Sequence, residues 1–320
     1  MIKNIIIVSI VLLLPALSWA HEADLPEEIE SLALQQLTDN IYIIQGPQRF
    51  PAPETAGFMN NPGFIITPGG IVVVDPGSSV QIGRLLLKRI KKISPANIIA
   101  VFNTHVHGDH WLGNHAIREA YPEVPIYAHF RMLERADAGE GEDWIANFSH
   151  ATEGATNGTK VVLPTIGLKG GEQLEIGGVN LQIYHTGKAH TDNDLMIEVT
   201  SERSIFLGDI VTRKRVQSAR PADGDIQGQI AAIEFALQTD NQVYIPGHGQ
   251  AGGREIALEQ LEFLRDLYAS VKKHYERGLT HYEMKKGVQA DMRAYKHWVN
   301  FDELGLVSSY VFLKVEEDSF

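Results

Sequence analysis

The sequence predicts an α/β protein with a four-layer αββα sandwich, in which two β-sheets pack face to face under outer helices. Two observations predict this fold. Short β-branched runs bounded by Gly and Pro form one group before the middle of the chain and a second group from Glu172 onward. Helical patterns accompany each group, so each is one half of a sandwich. No shift in composition separates the halves, and residues 21–320 are predicted to form a single domain.

Residues 1–20 differ from the rest of the chain and predict a secretory signal peptide. Lys3 precedes an unbroken apolar run, Ile5–Leu14, which ends at Pro15, and Ser18–Ala20 supplies small residues for cleavage after Ala20. Ten apolar residues fall short of the ~20 that span a bilayer. We therefore expect a periplasmic or secreted protein with no integral membrane segment once the signal is removed.

Composition narrows the classes of partner and chemistry. The formal net charge of −12 argues against a nucleic-acid partner, because phosphates would be repelled. The chain contains no cysteine, which excludes disulfides, thiolate metal ligands and cysteine nucleophiles. Any site for a borderline-soft metal ion must therefore use histidine and carboxylate. The oligomeric state is left open by the sequence.

The first half is predicted to begin with a meander of three strands. Helical spacing of apolar residues such as Val80, Leu86 and Ile90 predicts the next helix, over residues 78–94. The buried strand "ANIIAVFNTH" then continues directly into a histidine-rich loop, where Gly108 is expected to permit a tight turn before another helix. The three meander strands are predicted at 40–45, 63–67 and 70–75.

Residues 137–160 are predicted to form a long surface loop, because they are rich in Gly, Thr, Asn and Glu and show no clear period. The loop is expected either to cover a binding site or to have no role. Four short strands follow, then a helix, a strand and a long helix with an apolar seam from about Arg254 to Glu276. Weaker helical patterns near the C-terminus are expected to cover one edge. The four strands are predicted within 172–178, 179–186, 193–200 and 203–209.

The loop "NTHVHGDHWLGN" concentrates His105, His107, Asp109 and His110 directly after a buried strand. Side chains alternate along an extended segment, so His105 and His107 can bind one ion together. Asp109 and His110, further around the turn, can face a second ion. Imidazole nitrogen and carboxylate oxygen suit zinc, and each ion needs three or four ligands, so later residues must complete the site.

Three later positions lie at junctions between strands and loops. His190 is in the turn "KAHTDND", Asp209 ends the strand of "FLGD", and His248 ends the strand of "YIPGHG". With "THVHGDH" and the upstream "GGIVVVDPG", these motifs follow the order of the metallo-β-lactamase superfamily, which the sequence resembles over nearly all of residues 21–320. The resemblance implies the αββα sandwich, with a site where the two sheets meet.

The resemblance implies two zinc ions held by seven side chains. His105, His107 and His190 would hold the first ion; Asp109, His110 and His248 would hold the second; Asp209 would bridge them. Asp109 would also be catalytic, by orienting the attacking hydroxide and passing on a proton. His185 is a rival third ligand for the first ion, but the Thr-Asp after His190 matches the turn of the family.

Other candidates have open roles. Asp75 either supports the ligands or caps its turn; Arg213–Arg215 either anchors a substrate carboxylate or forms a solvated basic turn; and Trp111 either lines the pocket or packs a helix. Met59, Asn60 and Asn61 are candidates for the opposite rim of the pocket. His115 is expected to be near the site or on the surface. Structural roles are expected for His129, His150, His274, His281 and His297.

The predicted function is that of an exported dinuclear zinc hydrolase, in which a hydroxide bridging the metals attacks a carbonyl group of a small-molecule substrate. β-Lactam ring opening is the first expectation. The alternatives are a thioesterase or lactonase of the glyoxalase type, or a zinc metallohydrolase linked to quinoproteins or sulfur oxidation. A zinc-binding periplasmic protein without turnover ranks last, because all seven ligand positions are filled.

Overall fold

The structure is a computed structural model that describes residues 25–217 and 223–320. The signal peptide predicted for residues 1–20 lies outside the described residues. The treatment of residues 21–320 as one domain stays a prediction.

The first sheet contains seven strands in sequential order, β1 to β7. The first four run as an antiparallel meander, and β4, β5, β6 and β7 are parallel neighbours. A turn around Pro68 and Gly69 joins β3 to β4, whereas the parallel strands are joined through helices, as parallel pairing requires. The strands are β1 Leu34–Gln36, β2 Ile41–Ile44, β3 Gly63–Thr67, β4 Gly70–Val74, β5 Ile98–Phe102, β6 Ile126–His129 and β7 Ile166–Leu168.

The second sheet contains five strands in the order β12-β11-β10-β9-β8. Strands β8 to β11 form an antiparallel meander, and β12 adds in parallel to β11 after a helical crossover. The strands are β8 Gln173–Ile176, β9 Val179–Tyr184, β10 Met196–Val199, β11 Ser204–Thr212 and β12 Val243–His248.

Helices cover the outer faces of both sheets. Helices α2 and α4 pack on the first sheet, and α7, α8 and α10 pack on the second. Within the described residues, no helix has the length and apolar character needed to cross a membrane. The helices are α1 Glu27–Glu30, α2 Val80–Ile93, α3 Gly108–Trp111, α4 Asn114–Ala120, α5 Phe130–Arg135, α6 Gly141–Ala151, α7 Ile226–Ala236, α8 Arg254–Tyr275, α9 Lys285–Asp291 and α10 Leu304–Glu317.

The alternation of side chains along the strands explains the layers. In β4, Ile71 and Val73 face the core beneath α2 and α4, whereas Val72 and Val74 face the second sheet. In β11, Leu207 contributes to the core beneath the C-terminal helices and Phe206 to the core between the sheets. Both faces of the central strands are therefore buried, as their continuous apolar runs require. The predicted four-layer αββα sandwich is confirmed.

The prediction of a long loop at 137–160 is wrong. An irregular helical turn at Ala136–Glu140, directly after α5, and helix α6 occupy residues 137–151, and turns follow. Trp144 and Phe148, one helical turn apart, pack with Trp111 and Met132 against the first sheet. The many Gly, Thr, Asn and Glu residues of the segment hide the helical period in the sequence. The aromatic contacts outweigh the low helix propensity of the segment.

The two sheets bring three strand ends and residue Asp209 of β11 to the same edge of the sandwich. The prediction that the strand ends at Asp209 is wrong, because β11 continues to Thr212. Strand β4 ends just before Asp75, β5 ends just before the histidine loop, β11 carries Asp209, and β12 ends at His248. Strands are more rigid supports than loops, so the side chains at these ends are held in fixed directions.

We expect Phe148→Ala to lower the free energy of unfolding by about 3 kcal/mol, because a buried aromatic ring would leave a cavity. Asn147→Ala is the matched control on the exposed face of α6 and should change stability by less than about 0.5 kcal/mol. Urea unfolding of both variants measures the difference. Equal stabilities would mean that α6 does not pack as described.

Candidate metal centre

The histidine loop and three distant residues converge at the edge of the sandwich. His105 and His107 leave the end of β5 as an extended pair, and α3 begins at Gly108, which turns Asp109 and His110 toward the same centre. Potential ligand atoms lie within 4.8 Å of one another in three overlapping groups. The groups are His105 with His107 and His190; His105 with His110 and Asp209; and Asp109 with His110 and His248.

The carboxylate of Asp209 lies between the two predicted ligand sets. One oxygen is 3.5 Å from Nε2 of His190 and 3.3 Å from Nε2 of His248. The other is 3.2 Å from Nε2 of His110. Asp209 is therefore placed where a bridging ligand between two ions would be needed. The role of the seven side chains as ligands stays a prediction.

Buried atoms in this cluster lack hydrogen-bond partners among the described residues. They include Nε2 of His105, Nε2 of His110 and Oδ1 of Asp209. An unpartnered buried polar atom costs about 1–3 kcal/mol, so the cluster is costly unless a cation binds it. Nitrogen and oxygen donors in groups of three fit zinc, and the residues present therefore fit the metal that the sequence predicts.

Asp75 fixes the orientation of two histidine rings. Its Oδ2 accepts hydrogen bonds from Nδ1 of His110, at 2.8 Å, and from the Thr104 hydroxyl, at 2.7 Å. The Thr104 hydroxyl has donated its proton to Asp75, so it accepts from Nδ1 of His105, at 3.0 Å. Each ring keeps its proton on Nδ1, which leaves the Nε2 lone pair facing the cluster. Of the two roles considered for Asp75, these contacts favour support of the ligands.

The main chain of Met59 orients a third ring. Its carbonyl oxygen is 2.8 Å from Nδ1 of His248, which can donate to it. Asn61 donates to the carbonyl groups of Pro246 and Gly249, on either side of His248. Met59 also lines the cleft, as expected for a rim residue, but Asn60 and Asn61 are buried behind it.

His107 is oriented by an acidic residue that the sequence analysis did not identify. Its Nδ1 lies 2.9 Å from Nε2 of His190, and its Nε2 lies 3.5 Å from the carboxylate of Asp223. Asp223 also accepts from Arg135, at 2.5 Å. Burial raises the pKa of Asp223, but His107 and Arg135 outweigh it and bring that pKa well below its ordinary value. The negative charge therefore persists beside His107.

Arg135 connects this support to the irregular turn after α5. It binds both oxygens of Glu140, at 2.7 and 2.9 Å, and donates to Asp192 at 3.1 Å. Asp192 belongs to the turn that contains His190. No spacing in the sequence indicates this contact, because the residues lie on three separate segments. The two aspartates of "HTDND" were the only feature of the sequence that could have suggested a basic partner for this turn.

The cluster forms the floor of a cleft of about 200 Å³. Trp144 lines one side, with its ring centre 5.3 Å from that of His107. Gly108 allows this approach, because a Cβ atom there would lie 2.7 Å from Cβ of Trp144. Gly108 is therefore required for close packing. Trp111 is fully buried and donates its indole N–H to the Val106 carbonyl, so it packs the helix.

The basic stretch after β11 separates into two environments. Arg213 and Lys214 lie near Glu255 and Glu259 on the outside. Arg215 instead lines the cleft, is only 4% exposed and has a buried Nη1 with no hydrogen-bond partner in the described chain. Burial lowers the pKa of Arg215, and Asp209 and Asp109 partly oppose this effect. Arginine remains charged at neutral pH, so the cleft wall carries one buried positive charge.

The other histidines among the described residues lie outside the three groups. The ring of His185 stacks on His129, with ring centres 4.1 Å apart, and its Nδ1 is 2.8 Å from the Asp194 carbonyl. Burial lowers the pKa of His129 to about 4, so this ring is neutral near pH 7. His115 accepts from the Lys160 N–H and faces Glu119. The geometry thus places His190 and not His185 beside His105 and His107.

The family model of the metallo-β-lactamase superfamily matches residues 55–248, which is more than half of the chain and contains all seven predicted ligands. The chain belongs to the metallo-β-lactamase superfamily. The His and Asp groups described above are of the kind that can hold a metal ion. The family and the residues together imply a divalent metal.

Two relatives and one solved structure show the range of the family. The chain is 24% identical to a linear primary-alkylsulfatase of a Pseudomonas species, over 65% of this chain and 45% of the relative. It is 26% identical to a probable hydroxyacylglutathione hydrolase of Schizosaccharomyces pombe, over 63% and 68%. It superimposes on the sec-alkylsulfatase Pisa1 from Pseudomonas with a TM-score of 0.68 and 18% identity, over 88% and 50%. The chain thus spans about half the length of both alkylsulfatases.

We expect Asp75→Asn to weaken zinc binding about 10- to 100-fold, because the amide removes the charge that orients His105 and His110. Competition with a chromogenic chelator measures the affinity. Asp39→Asn is the matched control, since Asp39 is exposed. Unchanged zinc affinity in folded Asp75→Asn protein would contradict the role of Asp75.

Proposed function

We propose that this protein is a dinuclear zinc hydrolase that cleaves a carbonyl-centred bond in a small anionic substrate. The position of Asp209 carries the proposal, because its two oxygens face both predicted ligand sets. Two sets that share one carboxylate favour two adjacent ions over one. The signal-like N-terminus supports action in the periplasm or outside the cell, which N-terminal sequencing of the protein isolated from cells would test.

When bound, zinc acts as a Lewis acid and lowers the pKa of its bound water to about 7. The chain's own residues supply orientation. Asp109 and Asp209 both line the cleft. Burial raises the pKa of Asp109, but His110 and His248 more than offset this and bring the pKa well below its ordinary value. Asp109 therefore stays ionised and can accept a hydrogen bond from the nucleophile, which orients it.

Arg215 supports the negative charge of the substrate. Its guanidinium group is buried in the cleft wall with an unpartnered Nη1, near the metal cluster. The guanidinium group lies over the ring of Phe50, 5.9 Å from its centre, but Nη1 has no hydrogen-bond partner among the described residues. An anionic ligand that enters the cleft can therefore accept a strong, charge-assisted hydrogen bond from it. Trp144, Phe148 and Phe50 supply apolar walls that exclude water around this contact.

A thioester or lactone is the first candidate substrate. An aspartate in the position of Asp209 resembles the thioesterases and lactonases of the superfamily more than the group of β-lactamases with cysteine there. The similarity to a probable hydroxyacylglutathione hydrolase supports the same class. The β-lactams, expected first from the sequence alone, become the second candidate. Arg215 favours them, because a β-lactam carboxylate could pair with it.

We expect protein loaded with two equivalents of zinc to hydrolyse at least one member of a panel that contains an acyl thioester, a lactone and a chromogenic cephalosporin. A kcat/KM above ~10⁴ M⁻¹s⁻¹ that a chelator abolishes would establish that substrate class. Asp109→Asn is the inactive control. An alkyl sulfate belongs in the panel because two of the similar proteins are alkylsulfatases. Exclusive cleavage of the sulfate ester would overturn the carbonyl assignment, and no turnover at all would favour a binding protein.

We expect Arg215→Gln to reduce kcat/KM for an anionic substrate about 10- to 100-fold, chiefly through KM, since one charge-assisted hydrogen bond is lost. Lys214→Gln removes a neighbouring charge outside the cleft and should have little effect. With an uncharged ester as substrate, the kcat/KM values of the two variants should differ much less. Equal effects of both variants on the anionic substrate would show that the net charge matters and not the position of Arg215.

A further inference from the structure

A second cavity, of about 220 Å³, adjoins the metal centre and shares His107, His190 and Gln217 with the Arg215 cleft. We call it the side cavity. His107 and His190 form its inner end, and Gln217 separates it from the cleft. Gln217 is held by the main-chain carbonyl of Asp209 and by Gln229. Two of the three predicted ligands of the first ion, His107 and His190, therefore line both cavities.

The outer wall of the side cavity is apolar. Leu264 and Leu267 of α8 and Val307 and Val311 of α10 line it, and Ile226 lies at the start of α7. The match to the family model ends at residue 248, so the lining side chains of α8 and α10 lie beyond it. Ile226 lies within the matched region. This wall is thus a feature of this chain's own C-terminal helices.

Lys314, which lines the side cavity, is paired with nearby carboxylates. Lys314 lies 3.4 Å from Asp225, 3.3 Å from Glu317 and 3.0 Å from Asp318. A lysine surrounded by three carboxylates offers little net charge to an incoming anion. The side cavity therefore suits an uncharged apolar group, in contrast to the cleft with the buried Arg215.

We propose that the side cavity binds an alkyl or acyl chain of the substrate next to the bond that is cleaved. The proposal rests on the proposed function, because it assigns a part of the same substrate. The side cavity is continuous with the metal centre at His107 and His190. A substrate whose reacting group lies at the metal centre can therefore place its chain in the side cavity. An apolar cavity of ~150 Å³ holds benzene, so 220 Å³ accepts a chain of about six carbons.

The n-alkanoates from acetate to octanoate are the probes, because their carboxylate can bind at the metal centre and their chain can enter the side cavity. Calorimetry on the zinc-loaded chain measures their affinity without turnover. Each methylene that leaves water should raise the affinity by up to roughly fourfold. We expect this rise to continue to about six carbons and then to level off.

Two variants fill the side cavity from different helices. The first variant is Ile226→Trp, at the partly exposed start of α7. The second is Val311→Trp, on the buried face of α10. Each should reduce the difference between hexanoate and acetate to less than about threefold. Leu306→Trp is the matched control, because Leu306 is 45% exposed on α10 and does not line the side cavity. Circular dichroism and thermal melts confirm folding of all three.

The outcomes separate this proposal from the proposed function. Chain-length dependence that is lost in the two filled variants, without turnover of any panel substrate, would support the side cavity and overturn the hydrolase. Turnover of an ester with equal affinity for acetate and octanoate would support the hydrolase and overturn the side cavity. If the affinity of the unchanged protein does not rise with the chain length of the alkanoate, the side-cavity proposal is overturned, whether or not the variants fold. A dimer that octanoate dissociates would assign the side cavity to a second copy.

Discussion

The hydrogen bonds of Asp75 are the interaction on which the metal centre depends. One carboxylate, at the end of β4, holds His110 directly and His105 through Thr104. Asp75 also accepts from the Thr104 main chain, which connects β4 to the segment after β5. Without this contact, the Nε2 atoms could turn away from each other, and the ligand sets would lose their geometry. The support is buried, so water cannot replace it.

The arrangement of the two sheets explains why the remaining groups converge. Asp209 and His248 belong to β11 and β12, which are parallel neighbours in the second sheet. His105 and His107 follow β5 of the first sheet. Packing of the two sheets through a continuous apolar core, which includes Phe102, Phe206 and Ile245, fixes the distance between these strand ends. The stability of the sandwich thereby sets the precision of the site, since burial of large apolar side chains is the dominant stabilising term.

The features predicted from sequence were those that depend on local patterns. The central strands are continuous β-branched runs, and the predicted ligands stand in short motifs at their ends, so both were visible without the structure. Helix α6 was missed because Trp144 and Phe148 are buried by packing with Trp111, which lies on another segment. Asp223 was missed for the same reason, and the sequence left open whether Arg213–Arg215 reaches the site or forms a solvated turn. Their partners are defined by tertiary contacts, which no spacing encodes.

The floor and the walls of the site thus have different structural origins. The floor is built from rigid strand ends and supported by hydrogen bonds among buried groups. The walls come from α6, from Arg215 after β11, and from α8 and α10, and these elements contribute to the metal centre only through surrounding contacts. Substitutions in the walls can therefore change which substrate binds while the orientation of the histidines is preserved. Relatives that share the fold and differ in activity are expected on this basis, because chemistry resides in the floor and selectivity in the walls.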